Sequence, residues 1–391
     1  MNWKIPLSDL RLTQEDRDAV MAALESNWLT MGERTQNFEK AFATALDPEN
    51  PPYCFAVGNC TLALHMALVA LGVGPGDEVI LPSLTFVATA NAVLYTGATV
   101  VLADVTSPED WTICANDVRA KITPRTKAIL PVHYAGQPCD MVALLQIAKE
   151  HNLAIVEDNA HGPLADGWID ANHTSRALGT IGDIGCVSFF SNKNMTTGEG
   201  GMVVTRNPQL AEKLRLIRAH GMTTLTMDRH KGHAFSYDVV DLGFNYRIDE
   251  PRAALGLSQL SRLSANNALR AQVVAWYNKA LADVPGLTVP FAHRPAQGRQ
   301  ALHILPVLLP EGVAREAVQI ALRDAGVQTS IHYRPIHTFT YHGASPLVQK
   351  DGLELTDILT PRILTLPLYP SLTEADVQTV ANALKAALAG A

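Results

Sequence analysis

Short apolar and β-branched runs alternate with helix-like segments along the first half of the chain. The first five runs are almost continuously apolar, and segments of helical periodicity such as TLALHMALVALG separate them, which is typical of parallel strands buried on both faces of a sheet. The loop before the last run is too short for a helical crossover, so that strand is expected to pair antiparallel. Seven strands are predicted, at 53–57, 78–82, 99–105, 127–133, 153–158, 185–190 and 201–205.

The pattern changes after Asn245. A long helical stretch follows, with Asp249 as its expected N-cap and Pro251 in its first turn. Shorter strand-like and helical segments then mix to the end of the chain. We therefore predict an α/β protein with a mostly parallel, seven-stranded sheet in a large domain, residues 1–250, and a smaller C-terminal α+β domain, residues 251–391, which begins with the long helix.

Composition narrows the function to small-molecule chemistry in a globular protein. Of the 391 residues, 47% are hydrophobic and 18% charged, which is enough apolar material for a large core. The net charge of −7 is modest and the charges are dispersed, which argues against nucleic acid or an anionic membrane as a partner.

The sequence favours a cytoplasmic protein with reduced thiols. The stretch MNWKIPLSDLRLTQED lacks the apolar core of a signal peptide, and no apolar run is long enough to cross a bilayer. The five cysteines are widely spaced and form no CxxC pair, which disfavours a disulfide framework and a zinc knuckle.

One lysine, Lys193, lies in the polar loop of SFFSNKNMTTGEGGMVVT, between the last two predicted strands. The strand LAIVED ends at Asp158, at the sheet edge where ligands of parallel sheets bind. Taken singly, a loop lysine is usually solvated and a strand-end aspartate is usually a turn residue. Together, the amine could attack an aldehyde and the carboxylate could keep a pyridine nitrogen protonated. The glycines after Glu199 are interpreted as freedom for the backbone near the lysine.

A phosphate site is suggested by GNCTLALHMAL, which follows the first strand and opens a helix. The amides around Cys60 and Thr61 would face an anion, and the Thr61 hydroxyl could join them. Simple helix capping by Asn59 or Thr61 explains the same residues equally well. No Walker A pattern occurs, and GVGPG is interpreted as a turn because it follows a helix.

The motifs SFFSNKNMTTGEGG, VEDNAHG, LPSLTFVATANAV, LGFNYRIDEPRAALGLSQL and HYRPIH together resemble the DegT/DnrJ/EryC1/StrS family of sugar aminotransferases, over nearly the whole chain. The resemblance implies the fold-type-I architecture of pyridoxal-phosphate enzymes and a homodimer whose active sites use residues of both subunits. It makes Lys193 the Schiff-base lysine and Asp158 the partner of the pyridinium nitrogen. Ser188 and Thr61 would hold the cofactor phosphate, and Asn245 would reach it from the neighbouring subunit.

Three further positions take their roles from the same resemblance. Phe86 would stack on the cofactor, although core packing is the commoner fate of a strand-end aromatic. His161 stands where many relatives have Gln and would approach the phenolic oxygen of the cofactor; its alternative is a surface histidine. Because histidine titrates, it would alter the pH dependence. Cys60 replaces a commonly smaller residue in the phosphate turn, where it would contact the cofactor or only pack.

The reaction implied is two half-transaminations, from an amino acid such as L-glutamate to a nucleotide-linked 4-keto or 3-keto-deoxyhexose. Lys193 would act as general base and acid. The diphosphate needs cations, and the candidates are Arg247 with Arg229 and Lys231 in the segment DRHKGH, which could equally be solvated. His332 is a substrate-binding candidate. Its spacing from His337 invites a metal site, but no carboxylate or cysteine cluster accompanies them, so no metal is predicted.

Three other functions are alternatives to this reaction. A cyclitol aminotransferase would use a keto-inositol and no nucleotide diphosphate. A pyridoxamine-phosphate-dependent sugar dehydratase of the same fold has His in place of the lysine, so Lys193 argues against it. A non-catalytic regulator would have no need for a nucleophile beside an electron sink.

Overall fold

The computed structural model describes residues 3–224 and 236–390, and a large β-sheet forms the centre of this part of the chain. The strands are β1 Tyr53–Val57, β2 Glu78–Pro82, β3 Thr99–Ala103, β4 Val105–Ser107, β5 Asp110–Ile113, β6 Thr126–Ile129, β7 Ala154–Asp158, β8 Asp166–Trp168, β9 Ser175–Ala177, β10 Ile184–Ser188, β11 Gly201–Thr205, β12 Leu305–Leu308, β13 Val348–Gln349 and β14 Ile363–Leu366.

The helices surround this sheet and extend to the C-terminus. They are α1 Gln14–Glu25, α2 Glu33–Leu46, α3 Cys60–Ala70, α4 Val87–Tyr95, α5 Ala115–Ala120, α6 Met141–His151, α7 Pro208–Arg218, α8 Glu250–Leu260, α9 Leu263–Leu281, α10 Arg315–Asp324, α11 Thr340–Ala344, α12 Glu354–Leu359 and α13 Glu374–Ala389. None of the described helices combines the length and the apolar character that crossing a bilayer requires.

The central sheet confirms the predicted α/β fold. Its eight strands lie in the order β1, β11, β10, β7, β6, β2, β3, β13. All seven predicted strands belong to it, with β3, β6 and β10 ending two to four residues earlier than expected. As predicted, β11 is antiparallel to its neighbours β1 and β10, whereas the other pairs are parallel. The eighth strand, β13, has only two residues and therefore leaves no apolar run to detect.

Helix α3 is buried on nearly all sides, because it packs between the sheet and its neighbouring helices α4 and α7. Its N-terminus lies at the carboxyl edge of the sheet for a topological reason. Strands β1 and β10 both pair antiparallel with β11, so they run in the same direction. The helix that follows β1 therefore begins beside the ends of β10 and β7.

The C-terminal part has its own apolar core, in which α9, α10 and α13 cover the β12–β14 pair. Asp249 caps α8 as predicted, by accepting from the Arg252 N–H at 3.0 Å. The predicted single long helix is wrong: it divides into α8 and α9 around Ser261 and Arg262. The N-terminal Ile5 joins this C-terminal core and pairs with Val327. The division into domains at residue 250 stays a prediction.

The carboxylate of Glu250 ties α8 to the start of α2. Its Oε1 accepts from the Gly32 and Thr35 backbone N–H groups at 2.8 and 2.9 Å and from the Thr35 hydroxyl at 2.7 Å, and its Oε2 accepts from the Arg34 N–H at 2.9 Å. Glu250 is 1% exposed, so water cannot replace these bonds. One side chain therefore satisfies three amides at the start of α2, which its own N-cap Gly32 cannot do.

Replacing Glu250 should destabilise the protein strongly. Glu250→Ala leaves three backbone donors without an acceptor, and we expect a loss of about 3 kcal/mol, visible as a lower melting temperature. Glu33→Ala, in the same turn but exposed, is the matched control and should change stability by less than about 1 kcal/mol. Equal melting temperatures for the two variants would contradict this role for Glu250.

Candidate active site

A cavity of about 420 Å³ opens at the carboxyl edge of the sheet, beside the N-terminus of α3. It brings together most of the residues that the sequence analysis singled out, although they come from distant parts of the chain. The predicted site residues that line it are Cys60, Thr61, Phe86, Asp158, His161, Ser188, Lys193 and His332.

Asp158 is the last residue of β7 and is 5% exposed. Its Oδ2 accepts from the Thr89 hydroxyl at 2.8 Å, and its Oδ1 accepts from the Ala160 N–H at 3.1 Å. Burial raises the pKa of Asp158, while these two hydrogen bonds and the Lys193 amine act in the opposite direction. Each oxygen of the Asp158 carboxylate therefore has one protein donor, and these two bonds fix the orientation of the group at the strand end.

Lys193 lies partly buried in the loop after β10, and its backbone N–H donates to the Phe190 carbonyl at 2.9 Å. Burial lowers the pKa of Lys193 from 10.5 to about 8, against the opposing effect of the Asp158 carboxylate. A lysine with this pKa is partly neutral near neutral pH, and the neutral amine is the nucleophilic form.

His161 is 4% exposed, which rules out the surface histidine considered above. Its Nδ1 accepts from the Ala135 N–H at 3.2 Å, so the neutral ring carries its proton on Nε2, 2.8 Å from the Tyr333 hydroxyl. Burial lowers the pKa of His161 well below 6.5, and Lys193 adds to this effect. The ring is therefore neutral at neutral pH, and its titration lies below that range.

The start of α3 forms a concave group of backbone donors. Asn59 caps the helix, because its Oδ1 accepts from the Leu62 N–H at 3.0 Å. Within the described chain, the amides of Cys60 and Thr61 have no protein acceptor, as expected for the first residues of a helix. A Cβ on Gly201 would stand 2.8 Å from the Cys60 nitrogen. The glycine is thus needed where β11 passes the start of α3, a different contact from the one expected beside the lysine.

Phe86 and Ser188 complete the predicted lining. Phe86 is 55% exposed at the N-cap of α4, which rules out ordinary core packing, and its ring lies 5.6 Å from that of Tyr333. Ser188 ends β10, where its Oγ accepts from the Phe190 N–H at 3.3 Å and keeps its own O–H available. Burial raises the pKa of Cys60, so its thiol stays protonated.

The remaining predicted residues do not line this cavity. Asn245 is exposed and pairs with Ala219 in an isolated bridge. Arg247, two residues further on, has its Nη2 3.4 Å from His220 Nε2. Arg229 and Lys231, the other predicted substrate-binding residues, lie outside the described residues.

His332 and His337 have different surroundings. His332 Nδ1 lies 3.0 Å from the Thr365 hydroxyl, and burial lowers the pKa of His332 to about 4. His337 contacts Ser83 and Asp357 at 2.7 Å each. The two rings therefore serve separate contacts, with His332 facing the cavity.

Sequence reasoning missed three residues of the site. Tyr333 stands in the quoted motif HYRPIH but gave no signal of its own. Thr89 donates a hydrogen bond to the Asp158 carboxylate from α4, a helix whose sequence is mostly apolar. His303, in the strand-like run ALHILPVLL, lies 3.4 Å from the Lys193 amine. A buried histidine within an apolar run is the only local sign that could have marked it.

Comparison with known proteins finds relatives that match nearly the whole chain and solved structures with a similar fold. The spore coat polysaccharide biosynthesis protein SpsC of Bacillus subtilis is 38% identical over an alignment of 397 positions, which covers 100% of this chain and 98% of that protein. GDP-perosamine synthase of Caulobacter vibrioides is 39% identical, over 97% of each chain. The crystal structure of the aminotransferase TlmJ from Streptoalloteichus hindustanus superimposes with a TM-score of 0.86 at 33% identity, over 99% of each chain.

The fold and these likenesses define a pyridoxal-phosphate-dependent transaminase. More specifically, the model of the DegT/DnrJ/EryC1/StrS aminotransferase family matches residues 11–385. The chain belongs to this family, and its homologues act on sugars.

The pKa of Lys193 can be measured in the cofactor-free protein. Below a pH of about 8 the amine is protonated and unreactive, and above it the amine is free, so acetic anhydride should label Lys193 with a midpoint near pH 8. Asp158→Asn removes the charge that favours the ammonium form and should move the midpoint to lower pH. Exposed Lys149 in the same digest is the control for the labelling of a solvent-exposed lysine. Labelling of Lys193 in parallel with Lys149 would contradict the shift.

Proposed function

We propose that this transaminase moves an amino group from L-glutamate to the ketone of a nucleotide-linked 4-keto or 3-keto-deoxyhexose, for amino-sugar biosynthesis. The observation that carries the proposal is the convergence of the Lys193 amine and the Asp158 carboxylate in one cavity, beside the open amides of α3. This set of groups supplies a nucleophile, a carboxyl group and an anion site within one space.

The residues present fit pyridoxal phosphate. Lys193 would bind it covalently, and Asp158 would keep its ring nitrogen protonated. The amides of Cys60 and Thr61 match a phosphate, because donors without a protein acceptor at a helix N-terminus favour an anion. The free O–H of Ser188 would add another donor to the same phosphate.

Two aromatic residues complete the proposed cofactor site. The exposed ring of Phe86 would cover one face of the cofactor ring. His161 would donate from Nε2 toward the phenolic oxygen, sharing that hydrogen with Tyr333. When bound, pyridoxal phosphate supplies an electron sink for the charge that develops on the substrate carbon.

Lys193 is the proposed carrier of the proton in both half-reactions. A general base works best when its pKa lies near the working pH, and a pKa of about 8 allows the amine to accept a proton and return it. Asp158 supports this cycle from the other side, because its charge stabilises the protonated amine.

Relatives support the choice of acceptor. The name of GDP-perosamine synthase states a nucleotide sugar as product, and the name of SpsC states polysaccharide biosynthesis. For this chain we propose that Arg247, Arg229 and Lys231 bind the diphosphate and that His332 contacts the sugar from the cavity wall.

The site is proposed to be shared between two copies of the chain. Asn245 is exposed and lies off the cavity of its own chain, so it is available to reach the phosphate site of a second copy. Among the alternatives, a dehydratase is disfavoured because Lys193 occupies the position where those enzymes carry histidine.

The role of Lys193 is tested by its removal. The purified protein should take up pyridoxal phosphate, change its absorbance on addition of L-glutamate, and retain the cofactor on the Lys193 peptide after borohydride reduction. Lys193→Ala should lose the covalent link and slow the half-reaction with glutamate by about 10²- to 10⁴-fold. Lys149→Ala, which changes an exposed lysine, should behave as the unaltered protein. Uptake of the cofactor on another lysine would overturn the assignment.

The acceptor is tested with a basic-segment variant. The double substitution Arg229→Ala and Lys231→Ala should raise KM for a keto-sugar nucleotide about tenfold, or ~1.4 kcal/mol, with little change in kcat. Arg323→Ala with Lys149→Ala removes two exposed cations elsewhere and controls for net charge. An unchanged KM would remove the segment from the binding site, and turnover of free keto-inositol without nucleotide sugar would favour the cyclitol alternative.

A further inference from the structure

Behind Lys193, a line of buried polar side chains runs away from the cavity. His303, Asn194 and Asn267 are 5%, 6% and 4% exposed, and each contacts the next. The line ends on the carbonyl oxygen of Pro163, which accepts from Asn267 Nδ2 at 3.1 Å. Buried polar groups of this kind are costly unless every donor meets an acceptor, so the direction of each hydrogen bond is constrained.

The Pro163 carbonyl fixes the orientation of both asparagine amides. A backbone carbonyl only accepts, so Asn267 must present its NH₂ group there and its Oδ1 to Asn194, whose Nδ2 donates at 2.9 Å. Asn194 therefore presents Oδ1 to the imidazole of His303, at 3.1 Å from Nδ1. An amide oxygen only accepts, so His303 must carry its hydrogen on Nδ1.

This tautomer leaves the Nε2 lone pair of His303 facing the Lys193 amine, 3.4 Å away. Two hydrogen bonds fix the main chain of His303. Its N–H donates to the Ala135 carbonyl at 3.0 Å, and its carbonyl accepts from Arg270 Nη1 at 3.2 Å. The contact with Lys193 is long, but His303 Nε2 can only be the acceptor in it. The Pro163 carbonyl cannot donate, and this fixes the direction of every hydrogen bond between it and His303.

We propose that His303 is a positioning residue, which accepts a hydrogen bond from the Lys193 amine through Nε2 and thereby sets the direction in which that amine faces the cavity. This rests on the proposed function of Lys193. The chain from Pro163 through Asn267 and Asn194 acts on the lysine only through the tautomer of His303.

The charged and titratable groups around His303 support a neutral ring. Burial lowers the pKa of His303 well below 6.5, and Lys193, His161, Arg270 and His332 all act in the same direction. On the cavity side, the carboxylate of Asp158 favours the protonated form of Lys193. The Lys193 amine thus lies between His303 Nε2, a neutral acceptor, and the Asp158 carboxylate. It can donate a hydrogen bond to His303 whether it is protonated or neutral.

Two amide substitutions separate this role from packing. The amide of Gln reaches as far as Nε2 of histidine, so His303→Gln can keep an acceptor beside Lys193. The amide of Asn ends near Nδ1, so His303→Asn keeps the contact with Asn194 and removes the contact with the lysine. The two variants have similar polarity. If His303 were needed only for packing, both substitutions would impair the protein about equally.

The first measurement needs no cofactor. Loss of an acceptor disfavours the ammonium form, so the acetic anhydride labelling midpoint of Lys193 in His303→Asn should fall by about half to one pH unit, with little change in His303→Gln. The second measurement is the half-reaction with L-glutamate. His303→Asn should lower the maximal rate constant of this half-reaction about 10- to 100-fold, with the half-saturating glutamate concentration changed by less than about threefold. His303→Gln should recover most of that loss.

The outcomes are distinct. Equal behaviour of the two variants, whether both are impaired or both are active, overturns the proposal. Failure of the unaltered protein to take up pyridoxal phosphate overturns the proposed function instead. If neither variant at residue 303 folds, Asn194→Leu tests the same chain of hydrogen bonds. It removes the acceptor beside His303 Nδ1, so the hydrogen of an unaltered His303 is no longer confined to that nitrogen. It should then lower the Lys193 labelling midpoint, and an unchanged midpoint would count against the proposal.

Discussion

The attraction between the buried Asp158 carboxylate and the Lys193 amine is the interaction on which the site depends. Burial favours the neutral form of each group, and each favours the charged form of the other. The carboxylate has further support from the Thr89 hydroxyl and the Ala160 amide, both supplied by the fold. The lysine has less support and reaches a pKa of about 8. The site therefore has a carboxyl group held in place by the fold beside an amine that can gain or lose a proton.

Sheet topology decides that these groups meet. The parallel pairing of β7 and β10 brings Asp158 level with Cys186, two residues before Ser188, so the two strand ends share an edge. The antiparallel strand β11 lets β1 run in the same direction as β10, which places the start of α3 at this edge too. Glycine at 201 permits the close approach of β11 to Cys60. A carboxylate, an amine and a helix N-terminus therefore surround one cavity.

The sequence predicted the parts of this arrangement that leave a local pattern. Apolar runs located the seven main strands, and a polar residue at a strand end or in a glycine-rich loop marked Asp158 and Lys193. The break between α8 and α9 left no such pattern. Beside it, Ser258 and Arg262 both bond the Asp16 carboxylate of α1, which is a contact across more than 240 residues. The local pattern does not reveal such a contact, because its partner lies in a helix that is distant in the chain.

By itself, the sequence determined the order of the seven main strands, the residue types available for chemistry and the family to which they belong. Tertiary structure decided which of those residues act on one another. His161 meets Tyr333 across 172 residues and Lys193 meets His303 across 110, and neither pair shares a motif. Periodicity reports which face of an element is buried, because burial repeats along the element. The partner of a buried polar group leaves no such repeat, since it is set by the packing of elements that are distant in the chain.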